Sequence, residues 1–221
     1  GVMRTALLPG LVSTLARNLA RQQERVRLFE IGKVFALADA TGAAPVETLR
    51  VAAAVAGDAG VEQWGNATRP VDYFDLKGDL EALAAVAGAT LTFARSTTPH
   101  GHPGRSADVL RDGARVGWIG ELHPRLLRAL DIDVPVVAFE LDASALQARP
   151  LPRVTGLSKF PSVRRDLAIV APESVDWAAL EATVRASAGP LLADVRLFDR
   201  YAGQGVETGF RSLAMGLILQ E

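Results

Sequence analysis

An amphipathic helical stripe that runs almost directly into a strand constrains this chain more than any other feature. From Leu8 onward, Leu11, Leu15 and Leu19 recur at spacings of three and four, while Arg17, Asn18, Arg21 and Gln22 fall off that stripe. Pro9 suits the first turn of a helix, where its missing N–H costs nothing. Such a helix has one face to bury. Val26 to Phe35 then alternates apolar and aromatic residues, with Phe29 and Ile31 on one face and Val26 and Leu28 on the other. That density predicts a strand buried on both faces. A helix laid on a sheet is the expected first layer.

The pattern continues in the same α+β style. Arg50 to Ala56 reads as a strand, and Tyr73 to Gly78 leads into a helix carrying Leu76, Leu80, Leu83 and Ala87. Asp112-Gly113 between SADVLR and ARVGWIGEL is a strong hairpin signal. Pro124 opens a short helix through Leu130, and Val134 to Leu141 is a further strand. Pro150, Pro152 and Gly156 change the texture and predict a linker over 150–157 between domains at 1–149 and 158–221. Beyond it, strands are expected at Arg165 to Val170, Leu192 to Tyr201 and Phe210 to Leu219. Asp176 is placed to cap a helix with Trp177, Leu180, Val184 and Ala188 on one stripe. The order β-α-β-β gives the first four of the six elements of a ferredoxin-like domain. Both ends read as interrupted motifs, so a longer parent protein is expected, with Leu213, Met215, Leu217 and Leu219 partly uncovered.

Composition narrows the function classes. With 221 residues, 49% of them hydrophobic, the chain can bury one large core or two smaller ones. A net charge of −1 and a pI near 6.4 supply no global field toward nucleic acid, so any RNA contact must be local. The absence of cysteine excludes disulfides, thiolate metal sites and a cysteine nucleophile. No apolar run approaches the roughly 18 residues of a membrane span, and no signal-peptide layout is present. The expectation is a cytoplasmic protein with no membrane partner.

Seven segments in order, MRTALLPGL, RLFEIGKVF, VDYFDLKGDLEAL, HPGRSA, GWIGELHPRL, FELD and KFPSVRRDLAIV, cover nearly the whole chain. Each alone is weak. Together they resemble the C-terminal part of the bacterial phenylalanyl-tRNA synthetase β subunit. The resemblance implies a class II synthetase-like antiparallel sheet with flanking helices that has lost its active site, then a truncated ferredoxin-fold anticodon-binding domain. It also implies an α subunit that uses ATP and Mg²⁺, an (αβ)2 heterotetramer and tRNA(Phe) as partners, with no cofactor bound by this segment.

The residues agree with lost chemistry. Class II sites hold the carboxylate and phosphates with arginines, and their loop after such a strand carries an Arg-x-Glu signature. Here Phe35 is followed by Ala36-Leu37-Ala38-Asp39, and the glycine-rich stretch Gly113 to Gly120 reads as a hairpin. No catalytic residue is assigned. His100, His102 and His123 suggest a metal site, hence a metal-dependent hydrolase as an alternative; turn and helix capping by His102 and His123 beside prolines is the better reading. Arg105 suits either a partner contact or an ion pair. Asp72, Asp75, Asp79, Lys77 and Glu81 suit capping and solvated charge better than acid–base catalysis.

RNA contact is expected in the second domain. Lys159, Arg164 and Arg165 form a basic cluster there, and Phe160, Phe198 and Tyr201 supply aromatics able to stack on unpaired bases. Against it, acidic residues slightly outnumber basic ones from 158 onward. In a regular strand Phe198 and Tyr201 face opposite ways, so one of them at most would meet RNA. A scaffold that binds only protein remains the other alternative.

Overall fold

The computed structural model describes residues 2–37, 44–147, 151, 156 and 158–221. The predicted linker lies largely outside the described residues, as do Ala38 and Asp39. The chain divides into two compact units, 1–151 and 152–221.

In the first unit, six strands form one sheet: β1 (Arg25–Ala36), β2 (Val46–Gly57), β3 (Thr92–Arg95), β4 (Gly101–Arg111), β5 (Ala114–Leu122) and β6 (Val136–Asp142). Their order is β1-β2-β6-β5-β4-β3, and every neighbouring pair is antiparallel. Helices α1 (Leu8–Leu19) and α3 (Pro124–Ala129) cover one face, where Leu11 and Leu15 pack with Ala52, Ala54, Trp118 and Val136. Helix α2 (Tyr73–Ala87) covers the other, setting Leu76 and Leu80 against Val55, Val109, Ile119 and Phe139. The run of alanines in β2 has a physical reason. Small side chains on both faces of a central strand let the helices approach closely.

Local chemistry sets the helix ends. Asp72 caps α2 by accepting from Phe74 and Asp75 N–H, while Asp75 reaches back to Asp72 N–H, a reciprocal capping box. Gly88 ends that helix in the left-handed region. Helix α1 has no cap from its own N-cap residue, Leu7. Glu140 of β6 does this work from across the fold: its Oε2 accepts from Leu7 and Leu8 N–H at 3.0 Å each, and its Oε1 accepts from Arg50 at 3.2 Å. The Asp112-Gly113 turn has positive φ at both residues (51° and 79°), which matches the twist of the β4–β5 hairpin.

One expectation for this unit is corrected. β1 is an edge strand, and only Val26 and Val34 in it are buried; Phe29 is 76% and Ile31 61% exposed. Both lie on the α2 side, beyond the cover of that helix. The four-residue β3 is an additional edge strand that the sequence reading does not contain.

The second unit holds β7 (Val163–Pro172), α4 (Trp177–Ser187), β8 (Leu192–Tyr201) and β9 (Phe210–Leu219). Its antiparallel sheet has the order β7-β9-β8. Ala171, Val195, Leu213 and Met215 are buried on one face. Arg211 on that face donates to Val175 C=O at 2.6 Å, just ahead of α4, and Trp177, Leu180 and Val184 of the helix are half-buried. Leu213 and Met215 are thus covered, contrary to expectation, while Leu167 and Leu197 on the same face stay exposed. Asp176 occupies the N-cap position of α4 without a side-chain cap.

Candidate nucleic-acid interface

The face of the three-stranded sheet away from α4 is open, and strand register decides which residues populate it. Arg164 pairs with Ile218 and Asp166 with Gly216, so Arg164, Asp166, Ala168 and Val170 line this face together with Ile218, Gly216, Ala214 and Ser212. Arg165 pairs with Leu217 and therefore lies on the helix side. The expected basic cluster is split by strand alternation: Arg164 faces the open side and Arg165 does not.

A β-bulge changes the other expectation. Along β8, Leu197 pairs with Met215 but Asp199 pairs with Ala214, which leaves Phe198 as the extra residue. The inserted residue shifts the alternation by one. Tyr201, paired with Ser212, then falls on the same face as Phe198 rather than the opposite one. Phe198 is 52% and Tyr201 47% exposed there.

The Arg164 guanidinium carbon lies 5.0 Å from the Phe198 ring centre, over Gly216, and Arg164 Nε donates to Asp166 at 2.7 Å. A side chain at Gly216 would displace Arg164, since an added Cβ meets its Nε at 2.8 Å. The Tyr201 hydroxyl donates to Gln204 C=O at 3.2 Å, folding the ring onto the following turn. Lys159 precedes β7 in a segment tied by Phe160 C=O, which accepts from Gln220 Nε2 at 2.9 Å. Lys159 and Arg165 make no ion pair among the described residues. Arg164 and Tyr201 stand at opposite ends of the face, six residues apart in register and so roughly 20 Å. Arg196 was missed by the sequence reading: it pairs with Gly216, shares the face, and binds Asp194 at 2.8 Å with its side chain 71% exposed. Its spacing of two from Phe198 was the available signal.

What this face offers is one guanidinium already stacked on an aromatic ring, a second cation, and two rings with exposed π-surface. That combination suits a single-stranded nucleic acid, whose bases stack on rings while its phosphates meet cations.

The histidines of the first unit have structural roles. His102 Nδ1 accepts from Gly104 N–H and His123 Nδ1 from Arg125 N–H, each at 3.1 Å, so both act as the expected caps. His100 packs edge-on against Trp118, where burial, then the charge of Arg115, lowers its pKa. Among the described residues no three His, Asp or Glu side chains group as metal ligands. Arg105 pairs with Glu121 at 2.8 Å. Asp75 pairs with Arg69, Asp79 with Arg27 and Glu81 with Lys77. The stretch Gly113 to Gly120 is a strand hairpin in which Gly117 and Gly120 are pressed against Leu141 and Ser106, so it forms no phosphate loop. These residues do not fit ATP or Mg²⁺.

Comparison with known proteins agrees with this architecture. A family model described as the phenylalanyl tRNA synthetase beta chain CLM domain matches residues 1–143, and one described as the ferredoxin-fold anticodon binding domain matches 158–221. The chain is 65% identical over its whole length to the phenylalanine–tRNA ligase beta subunit of Xanthomonas axonopodis and 62% identical to that of Xylella fastidiosa. It spans 28% of the length of each relative. On this agreement over both units, the chain belongs to the phenylalanyl-tRNA synthetase beta chain family, subunits of an aminoacyl-tRNA ligase.

Proposed function

We propose that this chain is the non-catalytic C-terminal part of a phenylalanine–tRNA ligase β subunit, working in the cytoplasm. The segment 1–149 acts as a synthetase-like scaffold for the α subunit, and 158–221 as the tRNA-contacting domain of an (αβ)2 assembly. The α subunit uses ATP and Mg²⁺ to attach phenylalanine to tRNA(Phe), and this chain holds the parts together. The observation that carries the reading is the open sheet face with Arg164 stacked on Phe198 in the region matched by the anticodon-binding model. Lys159, Arg164, Phe198 and Tyr201 are its tRNA-facing residues. Arg165, on the helix side, makes at most an edge contact with phosphate.

Phe29 and Ile31 support the scaffold role. They are large apolar residues exposed on the edge strand β1, suited to an apolar partner surface. No helix in the described chain is long and apolar enough to cross a membrane. The hydrolase alternative loses its support, because His102 and His123 spend their Nδ1 atoms on backbone caps.

The test is co-expression of the full-length parent chain with the ligase α subunit from the same genome. A complex that charges tRNA with phenylalanine only when both chains are present supports the proposal. An α chain that charges tRNA unaided, with no complex formed, overturns it.

A further inference from the structure

The connection from β2 to α2 is a loop with a closed base. Asp58 and Pro70 form an antiparallel bridge, Ala59 N–H donates to Arg69 C=O at 2.9 Å, and Val71 N–H donates to Gly57 C=O at 2.8 Å. Arg69 then donates to both carboxylate oxygens of Asp75 in α2, at 2.6 and 2.7 Å. At the tip Asn66 N–H donates to Gln63 C=O at 3.4 Å, which sets Trp64 and Gly65 at the centre of a turn. Trp64 is fully exposed there, and Val61, three residues before it, is exposed as well.

Full exposure of an indole forfeits the burial that a tryptophan normally brings to a fold. Among the described residues the Trp64 side chain makes no hydrogen bond or ring contact, so the packing of this unit does not account for it. The closed base holds the loop in place and lowers the ordering cost of a contact made at its tip. Exposed tryptophans held in this way are the side chains that carry interfaces.

Charge on the loop decides between classes of partner. Arg69 is the only Lys or Arg from 58 to 72 and is committed to Asp75, while Asp58 and Glu62 have no ion pair among the described residues. A nucleic acid stacked on the ring would bring its phosphates against these carboxylates with no free cation to meet them. A protein surface with an apolar cleft and a cationic rim matches both the ring and the charge. We propose that Trp64 anchors a protein–protein contact, its indole seated in such a cleft on the α subunit. On the reading of 1–149 as the scaffold for that subunit, on which this contact rests, the loop adds a second point of attachment to the one at Phe29 and Ile31.

The experiment follows dissociation of the co-expressed full-length chain and α subunit on dilution, by mass photometry. Iodide quenching of Trp64 is read alongside it, as the difference between the parent and Trp64→Phe. Trp64→Ala is expected to raise the dissociation constant at least roughly tenfold, and Glu62→Lys to cause a smaller loss that fades at high salt. Both variants alter exposed loop side chains, so thermal unfolding of the free chain should match the parent. Trp64 should be quenched in the free full-length chain and shielded in the complex. Failure of the parent to assemble with the α subunit would overturn the ligase reading and this contact together. Equal affinity of the parent and Trp64→Ala would overturn the contact alone. So would shielding of Trp64 already in the free chain, which would assign the ring to the rest of that chain or to a second copy. Loss of tRNA affinity in Trp64→Ala with assembly unchanged would also overturn it, in favour of RNA.

Discussion

Arg164 and Phe198 meet across the open face of the second unit because strand alternation puts both there, Arg164 opposite Ile218 and Phe198 two residues beyond Arg196, which is opposite Gly216; the extra residue in β8 then brings Tyr201 to the same face. Without the bulge the alternation of β8 would separate Phe198 from Tyr201. The contact keeps the guanidinium over Gly216 with the Arg164 side chain still 52% exposed.

Replacing Glu140 by Gln should destabilise the first unit. The carboxylate is buried, accepts from two backbone N–H groups of α1 and pairs with Arg50, so the variant exchanges charge-assisted bonds for neutral ones. A loss of about 1.5–3 kcal/mol is expected, read from the urea midpoint of the transition reported by α1.

Gly117→Ala should cost about 1–3 kcal/mol in the same unit. An added Cβ would stand 2.4 Å from Glu140 O and 2.6 Å from Leu141 Cα, backbone atoms of the central strand β6 that cannot turn away. Urea unfolding against the parent measures it.

Acid should weaken the start of α2 through Asp75. Its hydrogen bonds with Arg69 hold the carboxyl pKa down to about 2, below the ordinary 3.8. The stabilisation is therefore complete above pH 4 and fades as pH falls toward 2. Asp75→Asn should show a flatter dependence of stability on pH in that window. A slope equal to that of the parent would disprove the assignment.

Much of this fold is legible in the sequence, and the exceptions share a cause. The limits of β8 and β9 follow from apolar runs closed by glycine-rich turns, and the hairpin from Asp112-Gly113. Exposure of Phe29 and Ile31 is not legible, because an edge position depends on strand order across the sheet and not on the strand itself. The shared face of Phe198 and Tyr201 is hidden in the same way: period-two reading assumes a regular strand, and a bulge reverses its answer. The split of Arg164 from Arg165 was available from alternation alone. The capping of α1 by Glu140 joins positions 133 residues apart and needs the folded sheet.

Phe29→Glu with Ile31→Glu should leave the stability of the isolated chain within about 0.5 kcal/mol, since both side chains are exposed. Assembly with the α subunit should fail. Co-purification together with thermal unfolding separates the two effects, and a double variant that still assembles would remove β1 from the interface.

The most direct measurement is the affinity of the assembled ligase for tRNA(Phe) across a salt series, for the parent, Arg164→Glu, Phe198→Ala and Arg165→Glu. The account predicts that Arg164→Glu weakens binding and lowers the salt slope by about one phosphate equivalent. Phe198→Ala should cost about 1–3 kcal/mol with the slope unchanged, and Arg165→Glu should have the smallest effect of the three. Equal affinity and slope for the parent, Arg164→Glu and Phe198→Ala would contradict it and leave a scaffold that binds protein alone.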